Sequence, residues 1–170
     1  MSQANTSSSL PKGRALALVL ASYVMAIGAG AATLVFAPIE DPIWRTLAAD
    51  AVATIVIFGW SVAYNNSSFY DAFWSLFTPL VIFYWRGEGQ RQGSGVPFER
   101  MALITLSSWV WGLRLTLNWA TDWPGWHHED FRYIQIRQAF RKKNLPKPVY
   151  WLVGSLLGVM VFPTMQVAPA

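Results

Sequence analysis

From Ala15 to Ala37 the chain carries no charged residue, and an uncharged apolar run of that length, preceded by Lys12 and Arg14, leaves few folds open. As a helix rising 1.5 Å per residue it crosses a hydrocarbon core of roughly 30 Å. A secretory signal also opens with basic residues and an apolar run, but its apolar region spans only about 7–15 residues. A retained transmembrane helix is therefore expected, with cleavage among the Ala and Gly residues as the alternative. Ala26, Gly28, Gly30 and Ala32 supply small residues at four-residue spacing, which lets helix backbones approach closely in lipid.

The rest of the chain repeats the theme. Apolar segments recur near Leu47 to Tyr64, Phe69 to Trp85, Met101 to Ala120 and Val149 to Val167. Hydrophobic residues make up 54% of the chain and charged residues 13%, with ten tryptophans among 170 residues, a balance foreign to ordinary soluble domains. The fold class predicted is all-α: a multi-pass transmembrane helical bundle of about five spans, one domain over 14–170, behind a disordered polar leader over 1–13. Polar breaks separate the segments. Pro38 to Pro42 makes a turn, Asn65 to Ser68 a second with Ser67 or Ser68 as helix cap, and Arg86 to Arg100 reads as a flexible Gly-rich loop.

A formal charge of +4 raises the question of nucleic acid. The basic residues lie beside apolar spans, where retention of positive charge on the cytoplasmic side accounts for them, so no nucleic-acid partner is expected. In a five-span chain Lys12, Arg14, Arg132, Arg137, Arg141, Lys142, Lys143 and Lys147 share one side, against Arg45, Arg86, Arg91 and Arg100 on the other. The first group, with the charged loop 121–148, is expected to be cytoplasmic. The absence of cysteine removes thiolate chemistry and disulfides.

Polar residues inside the spans carry the functional reading, because charge within a bilayer is costly and marks sites or pathways. Helical spacing sets Ser107, Trp111, Arg114 and Asn118 on one stripe, expected to face the bundle interior. Asp71, Ser75 and Thr78 form another, and Asp50, Thr54 and Ser61 fall near one face. Beyond Ala120 lies the densest titratable cluster, His127 to Arg137. Adjacent His127 and His128 point about 100° apart on a helix and no HExxH spacing occurs, so no metal site is expected. The glycines of 87–95 lack the Lys-Ser/Thr of a phosphate loop, and neither histidine has a serine at a sharp turn. Glu129 and Asp130 suit a helix start, while Arg132, Tyr133 and Arg137 can offer donors to phosphates or ribose hydroxyls. A juxtamembrane helix meeting water and anionic headgroups is the other reading of the same residues.

Three ordered motifs, Ser68-Phe69-Tyr70-Asp71-Ala72-Phe73-Trp74, Trp111-Gly112-Leu113-Arg114-Leu115 and Glu129-Asp130-Phe131-Arg132-Tyr133, resemble the steroid 5-alpha-reductase-like membrane proteins, in particular their largely uncharacterised bacterial-type branch. The resemblance covers roughly Asn65 to Ala170. It implies a reductase in which NADPH delivers hydride to the carbon–carbon double bond of a steroid or other lipid-like enone. By the same resemblance Asp71 and Arg114 are expected as a buried catalytic pair, and Glu129, Asp130, Arg132, Tyr133 and Arg137 on the cofactor side. Family members continue into further helices with an Arg-His-Pro-Asn-Tyr-like segment, so the chain looks like an N-terminal portion: a fragment, a truncated gene product, or half of a split enzyme that a complementing C-terminal half would join. A non-catalytic membrane scaffold or assembly partner is the competing class, and a transporter a third.

Overall fold

Asp41 and Pro42 show how the sequence sets its helices. In the computed structural model, Asp41 Oδ1 accepts hydrogen bonds from the backbone amides of Ile43 at 2.8 Å and Trp44 at 3.2 Å. Pro42, whose missing N–H costs nothing in a first turn, opens the helix. The structure describes residues 10–131 except 94, together with 133–135, 138, 146 and 149. All regular structure among them is helical: α1 (Lys12–Phe36), α2 (Pro42–Tyr64), α3 (Ser68–Asp71), α4 (Phe73–Arg91) and α5 (Phe98–Asp122).

Helices α1 and α2 pack along each other, as do α4 and α5, and the short α3 joins the two pairs. Lys12 Nζ donates to Thr121 O at 2.8 Å, so the start of α1 and the end of α5 share one end of the bundle. That end also holds the α2–α3 turn. Arg45, Arg86, Arg91 and Arg100 sit at the other, near the start of α2, the end of α4 and the start of α5.

The core follows from side-chain size. Ala15, Val19, Tyr23 and Ala26 on α1 meet Ala53 and Ile57 on α2, and Phe69 and Phe73 close the cluster. Of the small residues on α1, Ala26 and Gly30 are buried while Gly28 and Ala32 are exposed, so one of the two expected small-residue faces is used. A Cβ on Gly30 would lie 3.3 Å from Ala49 O; its absence lets α1 and α2 draw together. Leu20, Val24, Val35, Phe36 and Ile55 remain exposed on the outer faces.

Helices α1 and α2, of 25 and 23 residues, are long and apolar enough to cross a membrane. Among the described residues these two meet that measure, not the four expected there. The expected third span is broken at Ala72 between α3 and α4, and α4 holds Arg86, Glu88 and Arg91. Helix α5 likewise begins beside Glu99 and Arg100 and contains Arg114. The expected fifth span lies outside the described residues apart from Val149. Helix boundaries differ from expectation too, α2 beginning at Pro42 and α5 at Phe98. Lys12 and Gly13, assigned to the polar leader, form the first turn of α1. The loop expected from Arg86 starts only after Arg91, because Glu88 ties the last turn together: Gln92 Nε2 donates to its Oε1 at 2.7 Å, and Arg91 Nε lies 3.8 Å from Oε2. Such local pairs offset part of the roughly 1 kcal/mol that each helical glycine costs.

Candidate functional site

The turn between α2 and α3 is where two of the three motifs meet. Asn65 ends α2 in the left-handed conformation, at φ 53°, and turns the chain so that Asn66, Ser67 and Ser68 are buried beneath the segment that follows α5. Asn66 Nδ2 donates to Trp126 O at 3.1 Å and to His128 O at 3.2 Å, while its Oδ1 accepts from the Ser68 amide at 2.8 Å. The Ser67 amide donates to Glu129 Oε1 at 2.6 Å. One amide side chain and one carboxylate thus hold the loop after α5 to the mouth of the α2–α3 turn.

Aromatic packing shapes the same contact. Trp126 meets the Tyr64 ring edge-on at 4.9 Å and the Phe69 ring at 5.4 Å, and Trp60 stacks on Tyr64 at 5.5 Å. Edge-to-face pairs of this kind contribute about 0.5–1.5 kcal/mol beyond the area they bury. Trp123 stacks on Trp119 and donates its Nε1 to His128 O at 3.3 Å. Gly125 makes the reversal possible with φ at +116°, a conformation open to glycine alone among ordinary residues. His127 and His128 are exposed, and His128 serves the loop through its backbone carbonyl.

Asp71 sits one turn further on, partly buried at the end of α3. Tyr23 reaches across from α1 toward this turn and packs on Phe73 at 5.6 Å. Tyr23 Oη and Ser68 Oγ are buried with no hydrogen-bond partner among the described residues. Glu129 and Asp130 are partly buried and Tyr133 is buried at 7% exposure, with its amide donating to Asp130 O at 3.1 Å. Arg132 and Arg137 lie outside the described residues.

Arg114 is not where the sequence reading puts it. Ser107, Trp111, Arg114 and Asn118 do share a stripe, but all are exposed, and no hydrogen bond or ion pair joins Arg114 to Asp71 or Glu129. The reason lies on the opposite face of α5. A Cβ on Gly112 would run into Ser75 O and stand 2.8 Å from Pro79 Cγ, and Thr116 Oγ1 shares a 2.9 Å hydrogen bond with Ser75 Oγ. Helix α4 therefore lies on the Gly112–Thr116 face. Arg114 is two residues from each, about 200° around the helix. Arg114 does not form the expected buried pair with Asp71, and Thr105, Ser108 and Thr116 are polar residues of α5 that are buried or partly buried.

Asn66, Trp126 and the Ser67 amide are the participants that the sequence did not single out. Their partners lie some sixty positions away, as the separation of 62 between Ser67 and Glu129 shows, and no local spacing encodes such a contact.

The class so defined is a protein all-helical among its described residues, with two helices long and apolar enough for a membrane and, at one end, a polar and aromatic contact between the α2–α3 turn and the loop after α5. The chain belongs to the family described as Protein of unknown function (DUF1295), whose model matches residues 57–170. No curated protein and no solved structure matches it.

Proposed function

We propose that the chain is an integral membrane protein of the steroid 5-alpha-reductase-like kind, with its charged loop cytoplasmic, and that it takes part in NADPH-dependent reduction of a carbon–carbon double bond in a steroid or other lipid-like enone. What supports this reading most is the 2.6 Å bond from the Ser67 amide to Glu129 Oε1. It draws the Glu129–Tyr133 motif onto the turn that leads into the Ser68–Trp74 motif. The apolar surfaces of α1 and α2 suit a bilayer and a lipid-like substrate drawn from it.

The residues of the mouth fit a polar, hydroxyl-rich ligand. Glu129 and Asp130 are the proposed partners of ribose hydroxyls, and Ser68 Oγ, buried with no hydrogen-bond partner among the described residues, is a polar group of the kind that a bound ligand completes. Arg132 and Arg137, with Tyr133, are the proposed donors to phosphate. When bound, NADPH would supply the hydride for the β-carbon of the enone, with a proton from water completing the reduction at the α-carbon. Asp71, at the end of α3, is proposed to orient the groups that polarise the carbonyl. Arg114, on the outer face, is left out of the reacting centre; a complementing C-terminal half is the proposed cover for that face.

A second reading, a non-catalytic scaffold, is favoured by the outward stripe of Trp111, Arg114 and Asn118. NADPH oxidation with lipid enones, measured for the chain and for a version extended by its downstream reading frame, separates the two. Enone-dependent oxidation lost in Asp71→Ala supports the reductase. Silence from both, or assembly that survives Asp71→Ala, supports the scaffold.

A further inference from the structure

Helix α5 carries a second pattern, on the face turned away from α4. Ile104, Ser107, Trp111, Arg114 and Asn118 are all exposed and recur at intervals of three and four residues in turn, the spacing of the seam along which two helices of a coiled coil meet. Leu103, Val110 and Leu117, exposed too, run along one side of this row. Trp111 leans on Trp74 of α4, ring centroids 5.7 Å apart, so the row is braced against the bundle. Among the described residues the side chains of Ser107, Arg114 and Asn118 have no hydrogen bond or ion pair. Arg114 stands eight residues before Asp122, the last residue of α5, roughly 12 Å below that end. A guanidinium at such depth in a bilayer is costly without a partner.

Charge narrows what covers the row. A second copy related by a twofold axis along the membrane normal brings the same face of each chain together and sets Arg114 against Arg114. The apolar segment 149–167 contains no Asp or Glu, so it supplies no counter-charge. Snorkelling toward the headgroups serves a guanidinium near a helix end, but Ser107 lies roughly 22 Å from that end and gains nothing by it. A helix whose apolar side meets Ile104, Trp111 and the leucines, and which carries one acid, satisfies the whole row. Polar residues at seam positions, here Ser107 and Asn118, then fix its register.

The geometry points to a docking seam for an apolar membrane helix of a partner chain, bearing a single carboxylate at the depth of Arg114. The inference deepens the cover proposed above for this face and rests on the membrane reading, not on the reductase chemistry. The chain has no cysteine, so Glu99→Cys, beside the row at the start of α5, takes a single donor dye. Its test titrates the labelled full chain, in phosphatidylcholine vesicles, with acceptor-labelled leucine–alanine helices of about 24 residues that carry one Glu, Lys or Leu at the level of Arg114. Energy transfer is expected to show the Glu helix bound about ten- to hundredfold more tightly than the Leu helix, the worth of one hydrogen bond between charged groups, and the Lys helix no better than Leu. Arg114→Leu removes the preference, and Arg114→Glu transfers it to the Lys helix. Equal binding of the Glu and Leu helices, or a preference that survives Arg114→Leu, overturns the seam. So does a preference restored by Leu113→Arg in the Arg114→Leu chain, since any arginine in the bilayer would then suffice. Transfer between donor- and acceptor-labelled copies that is lost in Asp50→Asn would give the face to a second copy and overturn it as well. Alkaline carbonate extraction is run beside these measurements. Release of the chain overturns the membrane reading and the seam together, whereas a chain kept in the pellet without preference for Glu overturns the seam alone.

Discussion

Glu129 Oε1 accepts a hydrogen bond from the Ser67 backbone amide at 2.6 Å, and this contact between residues on either side of α4 and α5 holds the loop after α5 in place. A carboxylate bonded to an amide is worth about 1.5–3 kcal/mol. Glu129→Ala is expected to lower the unfolding free energy by that order, and Glu129→Gln, which keeps an acceptor, by less. Denaturant unfolding in detergent, followed by tryptophan fluorescence, checks both.

Asn66 makes three hydrogen bonds from a buried position. Asn66→Ala strands the Trp126 carbonyl and the Ser68 amide, while the His128 carbonyl keeps its bond from Trp123 Nε1, at about 1–3 kcal/mol for each group left unsatisfied. The expected readout is local: limited proteolysis within 123–130 accelerates in the variant before the helices unfold. Equal cleavage rates in variant and wild type would show that the loop is held by something else.

Gly112 and Gly28 make a matched pair. A Cβ at Gly112 collides with the α4 backbone at Ser75 and with Pro79, whereas one at Gly28 meets nothing within 4 Å. Gly112→Ala is expected to force α5 from α4, break the Ser75–Thr116 bond and cost about 1–3 kcal/mol. Gly28→Ala is expected to be neutral or to stabilise by about 0.5–1 kcal/mol. Thermal unfolding of the two variants side by side checks the packing.

Tyr23 carries a buried hydroxyl that makes no hydrogen bond among the described residues. Removing an unsatisfied hydroxyl is neutral or stabilising, so Tyr23→Phe is expected to keep or raise Tm. If the hydroxyl serves the reaction, the same variant loses enone-dependent NADPH oxidation. A fall in Tm would instead show that the hydroxyl is bonded within the fold, the Ala72 backbone amide being its neighbour.

These expectations also show what a sequence conveys and what it withholds. The apolar segments on α1 and α2 are legible because length and the absence of charge are local properties. The Asp41–Pro42 start of α2 is equally local, yet the polar turn hid it, and the helix begins well before Leu47. Gly87 and Gly89 suggested a loop, but the Glu88 pairs with Arg91 and Gln92 carry the helix through them. Arg114 is the instructive case. Periodicity groups it correctly with Ser107, Trp111 and Asn118, but which face turns inward is decided by Gly112 against Ser75 and Pro79, a tertiary fit. The joining of the Asn66–Ser68 turn to Trp126 and Glu129 is likewise tertiary, although both segments are conspicuous in the sequence.

The proposal that the docked loop forms a cofactor mouth is tested most directly by NADPH titration of the chain in lipid nanodiscs, with Glu129→Ala and Arg114→Ala alongside. Saturable binding by the wild type, at least about tenfold weaker in Glu129→Ala and unchanged in Arg114→Ala, is the predicted result. Absence of binding, or binding that survives Glu129→Ala and fails in Arg114→Ala, would contradict it.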